Sequence, residues 1–136
     1  MHVASLNIPL AGLMVLKAVL LDFNGLVIND EAIHERLIEE LLLEENLRPN
    51  PQDLEECCLG RSDAACLSDL LARQGRVVSD AYLEKLLSRK AARYLEVLAG
   101  LNPLPLYPGL DDLIYQIRAA QLKIAIVSGA RRREIE

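Results

Sequence analysis

Two short apolar runs bracket the chain, and helical spacing fills the space between them. Residues 18–21 are Ala-Val-Leu-Leu and stop at Asp22; residues 122–127 are Leu-Lys-Ile-Ala-Ile-Val and stop at Ser128. Runs this short and this rich in aliphatic residues predict buried parallel-sheet strands. Between them, apolar residues recur three and four apart. Ile33, Leu37, Ile38, Leu41 and Leu42 predict a helix over 31–45, with Asp30 as its cap and Asn46 and Pro49 at its end. Asn50 and Pro51 start a second helix, over about 51–58. Ser62 caps a third, with Leu67, Leu70 and Leu71 on its apolar face and Gly75 closing it. Ser79 starts a fourth, with Leu83, Leu86, Leu87, Tyr94, Leu95 and Leu98 in a stripe that ends at Gly100. These four amphipathic helices have no strand between them, so they are expected to bury their stripes against one another. The Pro-rich segment 102–109 then reads as a linker. A fifth helix over 110–120 leads into the second strand, and a sixth begins at Arg131. Without residues 30–100, what remains is strand, helix, strand. Both strands end in polar or glycine residues on one edge, where open α/β sheets bind ligands.

Composition narrows the classes. The chain has 136 residues, 51% hydrophobic, 26% charged and 4% aromatic, which suits a packed aliphatic core. A net charge of -5 argues against nucleic acid as a partner. Arg131-Arg132-Arg133 is too short a basic run to reverse that, and reads as a solvated helix face. The apolar stretch before Lys17 carries Asn7 and Pro9, and falls short of the ~20 residues of a membrane span. Residues 1–15 read as an N-terminal extension, and Met14 is an alternative start to Met1. Cys57, Cys58 and Cys66 fit neither a disulfide framework nor a zinc pattern, and read as buried small residues in a reducing cytosol. A cytoplasmic protein is therefore expected.

Asp22-Phe23-Asn24-Gly25-Leu26-Val27, the helical insertion, Tyr107-Pro108-Gly109-Leu110 and Ile126-Val127-Ser128-Gly129 together resemble the haloacid dehalogenase-like superfamily. The size and place of the insertion resemble its subfamily with a small helical cap, the beta-phosphoglucomutase and phosphoglycolate phosphatase group. The resemblance implies an α/β fold. It would be a partial Rossmann-like core, a doubly wound parallel sheet, over 16–29 and 104–136, with an inserted all-α bundle cap over 30–103.

The resemblance also implies chemistry. Asp22 would attack phosphorus and form an aspartyl phosphate. Mg²⁺ would bridge the anions, held by the Asp22 carboxylate and the Asn24 backbone carbonyl. Ser128, with backbone N–H groups near Gly129, would bind the phosphate. On the cap, His34 would lie near the site, or else be a surface histidine on a Glu-rich helix. Gly60-Arg61-Ser62 would form the substrate loop. Arg61 there would pair a second anionic group, or else be an exposed loop arginine. The substrate would be a small phosphorylated metabolite, such as a sugar phosphate.

Two departures qualify this expectation. Asn24 replaces the family's second Asp, and an amide exchanges no proton at neutral pH. That carboxyl supplies general acid–base help of ~10²–10⁴-fold, so slow turnover, a stable aspartyl phosphate or no turnover at all is expected, and Asn24→Asp is expected to raise activity in a full-length protein. The chain also stops at Glu136, before the family's lysine and acidic motifs. It therefore reads as the N-terminal portion of a larger enzyme, inactive as it stands and with apolar strand faces exposed. The alternative is a binding or interaction protein that keeps the fold without the chemistry.

Overall fold

The structure is a computed structural model and describes residues 15–135. The expected N-terminal extension therefore lies almost wholly outside the described residues. In chain order the elements are β1 (Ala18–Leu21), α1 (Glu31–Glu44), α2 (Pro51–Cys58), α3 (Asp63–Arg73), α4 (Asp80–Ala99), α5 (Leu110–Ala119), β2 (Lys123–Ile126) and α6 (Arg132–Ile135). No helix among the described residues is long and apolar enough to cross a membrane.

Local chemistry sets the helix ends. The Asn50 side chain accepts the Asp53 N–H at 2.8 Å, Ser62 accepts Ala65 N–H at 3.3 Å, and Ser79 accepts Tyr82 N–H at 3.3 Å. Each such cap is worth roughly 1 kcal/mol. The exit of α3 turns through Gly75 at φ +75, which lets Arg76 N–H reach back to the Leu71 carbonyl at 2.8 Å. Asp30 differs from expectation. It precedes α1, but its side chain makes no capping hydrogen bond. It has turned inward instead.

The core lies among α1 to α4. Ile38 and Leu42 of α1 meet Leu54 and Cys57 of α2, Leu67, Leu70 and Leu71 of α3, and Leu86 and Leu87 of α4. Fully burying one such side chain contributes about 1.5–3 kcal/mol, so this cluster holds the four helices together. One cysteine expectation is overturned: Cys58 and Cys66 are joined as a disulfide, and only Cys57 is a free, buried thiol. Their spacing of eight residues gave no sign of it. The turn from α2 into α3 brings them together.

β1 and β2 pair in parallel, with Ala18 opposite Lys123 and Leu21 opposite Ile126. The apolar runs by themselves read as buried strands, but the exposed apolar faces expected of a two-stranded sheet are what the structure shows: every residue of β2 is exposed, and only Leu21 of β1 is buried. Two strands and one packed helix, α5, leave Leu20, Ile124 and Ile126 uncovered among the described residues. The sheet and the helical group are linked by two chain segments that are hydrogen-bonded to each other. Asn29 N–H donates to the Pro105 carbonyl at 2.7 Å, and Tyr107 N–H to the Val27 carbonyl at 3.2 Å.

Candidate active site

The parallel register decides where the cleft forms. Leu21 is the last residue of β1, and its carbonyl accepts the Val127 N–H at 2.9 Å. Asp22 and Ser128 therefore leave the sheet at the same edge. Asp22 is exposed there, and its Oδ1 accepts the Phe23 N–H at 2.7 Å. The next residues fold into a tight hook. The Phe23 carbonyl accepts from Val27 N–H at 2.9 Å, and Gly25 N–H donates to the Ile28 carbonyl at 2.8 Å. The hook requires φ +72 at Gly25, and a Cβ there would meet Glu31 Oε1 at 2.7 Å.

Facing this edge is a cleft of about 590 Å³. All of Asp22, Asn24, His34, Gly60, Arg61, Ser62, Ser128 and Gly129 line it. The sequence scatters these residues over more than a hundred positions. The structure gathers them because the α2–α3 turn folds down onto the Ser128 loop. A Cβ on Gly129 would stand 3.6 Å from the Cβ of Ser62. The Ser128 hydroxyl accepts the Ala130 N–H at 3.0 Å, which orders that loop. Arg61 is already engaged: Nη1 donates to Asp69 Oδ2 at 2.6 Å and to the Cys57 carbonyl at 3.2 Å.

Behind the cleft wall lies a buried polar network that sequence reasoning missed. Asp30 is fully buried, and its Oδ2 takes three donors: the Tyr94 hydroxyl at 2.6 Å, Asn24 Nδ2 at 2.7 Å and His34 Nε2 at 3.0 Å. Asp30 Oδ1 is buried with no hydrogen-bond partner among the described residues. Burial pushes this carboxyl up, but the hydrogen bonds from His34, Tyr94 and Asn24 together outweigh it and hold the group below its usual range. On its other side His34 Nδ1 meets the ammonium of Lys90, which can only donate. The ring nitrogen facing Lys90 therefore accepts, and the Nε2 proton faces Asp30. The imidazole also stacks on Tyr94, with ring centroids 4.6 Å apart.

Lys90 itself is fully buried. Its Nζ donates to Asp63 Oδ2 at 2.5 Å and to Glu134 Oε1 at 3.3 Å. His34 is thus neither a free surface residue nor a simple lining residue. It links a buried cation to a buried carboxylate. The sequence did carry one signal. Position 90 falls in the apolar stripe of α4 between Leu87 and Tyr94, and a charge there needs a partner.

The fit of this edge to a divalent cation follows from its donors. The Asp22 carboxylate and the Asn24 carbonyl are hard oxygen ligands of the kind Mg²⁺ prefers. They are two donors only. Among the described residues no group of three His, Cys, Asp or Glu side chains is placed to hold a metal ion. The edge fits Mg²⁺ as part of a site, since Mg²⁺ commonly rests on one or two carboxylates plus water and phosphate oxygens.

A strand-end carboxylate beside a serine loop, roofed by an inserted helical group, defines a class, and the comparisons agree with it. The chain belongs to the haloacid dehalogenase-like hydrolases, whose family model matches residues 16–136. In sequence it is 30% identical over 118 residues to the beta-phosphoglucomutase of Bacillus subtilis (strain 168), covering 85% of this chain and 52% of that one. In structure it matches CbbY from Rhodobacter sphaeroides in complex with phosphate, with a TM-score of 0.74 at 18% identity, over 90% of this chain and 55% of that one. A HAD hydrolase, family IA, variant 3, from Entamoeba histolytica HM-1:IMSS matches with a TM-score of 0.71 at 20% identity, over 88% and 52%. The structural likenesses establish the α/β fold with its parallel sheet. The chain spans about half the length of the relatives it matches.

Proposed function

We propose that this chain carries the nucleophile half of a Mg²⁺-dependent phosphatase or phosphotransferase acting on a small phosphorylated metabolite. The observation that carries the reading is the shared edge. Asp22 and Ser128 leave adjacent parallel strands together and face a cleft roofed by His34 and residues 60–62. Family membership supports the same class.

In this reading a carboxylate oxygen of Asp22 attacks phosphorus in line. The Asp22 O–P bond forms as the bond to the substrate oxygen breaks, and that oxygen leaves as an alkoxide that takes its proton from water. The Ser128 hydroxyl and backbone N–H groups near Gly129 bind the phosphoryl oxygens as charge develops. When bound to the Asp22 carboxylate and the Asn24 carbonyl, Mg²⁺ would offset the repulsion between nucleophile and phosphate. Water or a sugar hydroxyl then takes the phosphoryl group from Asp22. Asn24 can orient that acceptor but cannot take its proton, which makes turnover slow. Residues 30–103 act as a cap that excludes water, and Arg61 offers a guanidinium to a second anionic group once it is released from Asp69.

The test is a phosphatase screen of the full-length protein over sugar phosphates and small phosphate esters, wild type beside Asp22→Asn. Activity abolished by Asp22→Asn is the expected result. Activity that survives it removes the nucleophile. One observation favours a second reading, a phosphate-binding protein without turnover. The amide of Asn24 stands where the family's proton-exchanging carboxyl would be. That reading predicts saturable binding of inorganic phosphate with no Asp22-dependent hydrolysis.

A further inference from the structure

Asp30 is the group in the molecule with the least obvious reason to be charged. It is fully buried, it caps nothing, and one of its oxygens has no partner among the described residues. Burying a carboxylate is costly unless donors converge on it. Here three do, and they come from three parts of the fold. Tyr94 belongs to α4 and His34 to α1. Asn24 belongs to the hook that follows the nucleophile, and its Nδ2 stands 2.7 Å from Asp30 Oδ2.

We propose that Asp30 is a positioning residue matched to Asn24, so that a carboxylate is tolerated at position 24 only when position 30 gives one up. The inference deepens the phosphoryl-transfer reading and rests on it for its catalytic half. The chemistry is donor against acceptor. An amide at 24 supplies the N–H that Asp30 needs, and this leaves the amide carbonyl as the end available to the cleft. There it accepts a hydrogen bond from a hydroxyl or a water beside Asp22. A carboxylate at 24 supplies no N–H. It sets two negative groups at hydrogen-bond distance inside a site where Asp30 has no access to solvent. His34 Nε2 lies 2.9 Å from the Asn24 amide and 3.0 Å from Asp30 and has one proton for the two, and Lys90 adds nothing, because its recorded partners are Asp63, Glu134 and the far nitrogen of His34. The simple expectation that Asn24→Asp restores activity therefore fails in this chain. The exchange must be made at both positions. With Asp30→Asn in addition, the amide sits at 30. Its N–H then faces the new carboxylate from the place of Asp30 Oδ2, the Tyr94 hydroxyl accepts from the same amide, and His34 Nε2–H turns to position 24, whose side chain it already meets at 2.9 Å.

The test compares wild type, Asn24→Asp, Asp30→Asn and the double exchange in the full-length protein, by thermal unfolding and by phosphatase kinetics. Asn24→Asp is expected to lower Tm by roughly 5–10 °C, the scale for losing one hydrogen bond to a buried carboxylate in a chain of this size. The double exchange is expected to recover most of that loss. It is also expected to raise kcat by at least ~10²-fold with KM little changed, while Asn24→Asp alone gives no such gain. An Asn24→Asp protein as stable as wild type overturns the pairing. So does a double exchange no more stable than Asn24→Asp, or an equal kcat gain from Asn24→Asp alone. If no variant hydrolyses phosphate esters yet Tm recovers in the double exchange, the pairing stands as a structural match and the phosphoryl-transfer reading falls.

Discussion

Replacing Lys90 with Met tests how the buried network is held. Methionine keeps most of the length and apolar stem of lysine and removes the ammonium. In the folded protein the Lys90 side chain is 1% exposed, and so is that of its partner Glu134. Asp63, the other carboxylate, has a side chain 27% exposed, so it rehydrates when the ammonium goes. Glu134 does not, and it dominates the loss. It keeps one donor, the Arg131 N–H on Oε2 at 3.0 Å. Breaking a buried ion pair by removing one partner costs about 3–5 kcal/mol, and the surviving hydrogen bond places this case at the lower end, about 3 kcal/mol. An unfolding entropy of about 2.1 cal/mol/K per residue converts that into a Tm about 10 °C lower for a chain of this length. Urea unfolding followed by circular dichroism gives the free energy, and calorimetry gives the midpoint. The double variant Lys90→Met/Glu134→Gln removes both charges and is expected to regain all but about 1 kcal/mol, since a neutral pair carries little desolvation cost. A Lys90→Met protein within about 0.5 kcal/mol of wild type refutes the reasoning, because the ammonium would then contribute nothing net. A double variant less stable than the single refutes it too.

Three further outcomes follow from the structure. Tyr94→Phe takes one of three donors from Asp30 and is expected to cost about 1.5–3 kcal/mol, as for other hydrogen bonds to a charged group. It is also expected to change the alkaline limb of the stability curve. Burial, the hydrogen bond to Asp30 and the negative charges of Asp30, Glu134 and Asp63 push the Tyr94 phenol above its usual 10. A raised folded value means full stability below pH 10 and progressive loss above it, so urea midpoints measured upward from pH 9 fall in wild type. In Tyr94→Phe that part of the fall disappears. Reducing the Cys58–Cys66 disulfide, or replacing both cysteines with Ser, opens a loop of sequence separation 8. The loop-entropy relation puts the stability loss at roughly 2.5 kcal/mol, read by urea unfolding with and without reductant.

The helices were legible because each start carries its own chemistry. Asn50, Ser62 and Ser79 are caps by residue type, and the structure uses all three side chains as caps. Asp30 looked like a fourth and is not one. A residue type that suits a cap also suits a buried acceptor, and only tertiary contacts decide between them. The cleft residues were legible because motif and strand end coincide. The rest of the network was not, because its members meet only in three dimensions. Lys90 and Glu134 lie 44 positions apart, and Asp30 and Tyr94 lie 64 apart. The disulfide was hidden for a similar reason: three cysteines allow several pairings, and the α2–α3 turn selects one. Strand identity was legible from apolar runs, but burial was not. Burial depends on what covers a sheet, and a run of Val and Ile cannot report its own cover.

The paired crossing between sheet and helices has a mechanical meaning. A body on one tether can swing and spin about it. Here Val27 and Asn29 on the outgoing segment are laced to Tyr107 and Pro105 on the returning one, so the pair resists twist as a flat strap does. Bending across the strap's thin direction is the compliant motion left. Asp30 is the first residue past the strap, and it grips Asn24 on one side and Tyr94 on the other. Any bend at the strap therefore loads that grip, along with the Lys90–Glu134 and Arg131–Glu84 pairs between α4 and residues 131–134. The angle of the roof and the aim of Asn24 are mechanically coupled.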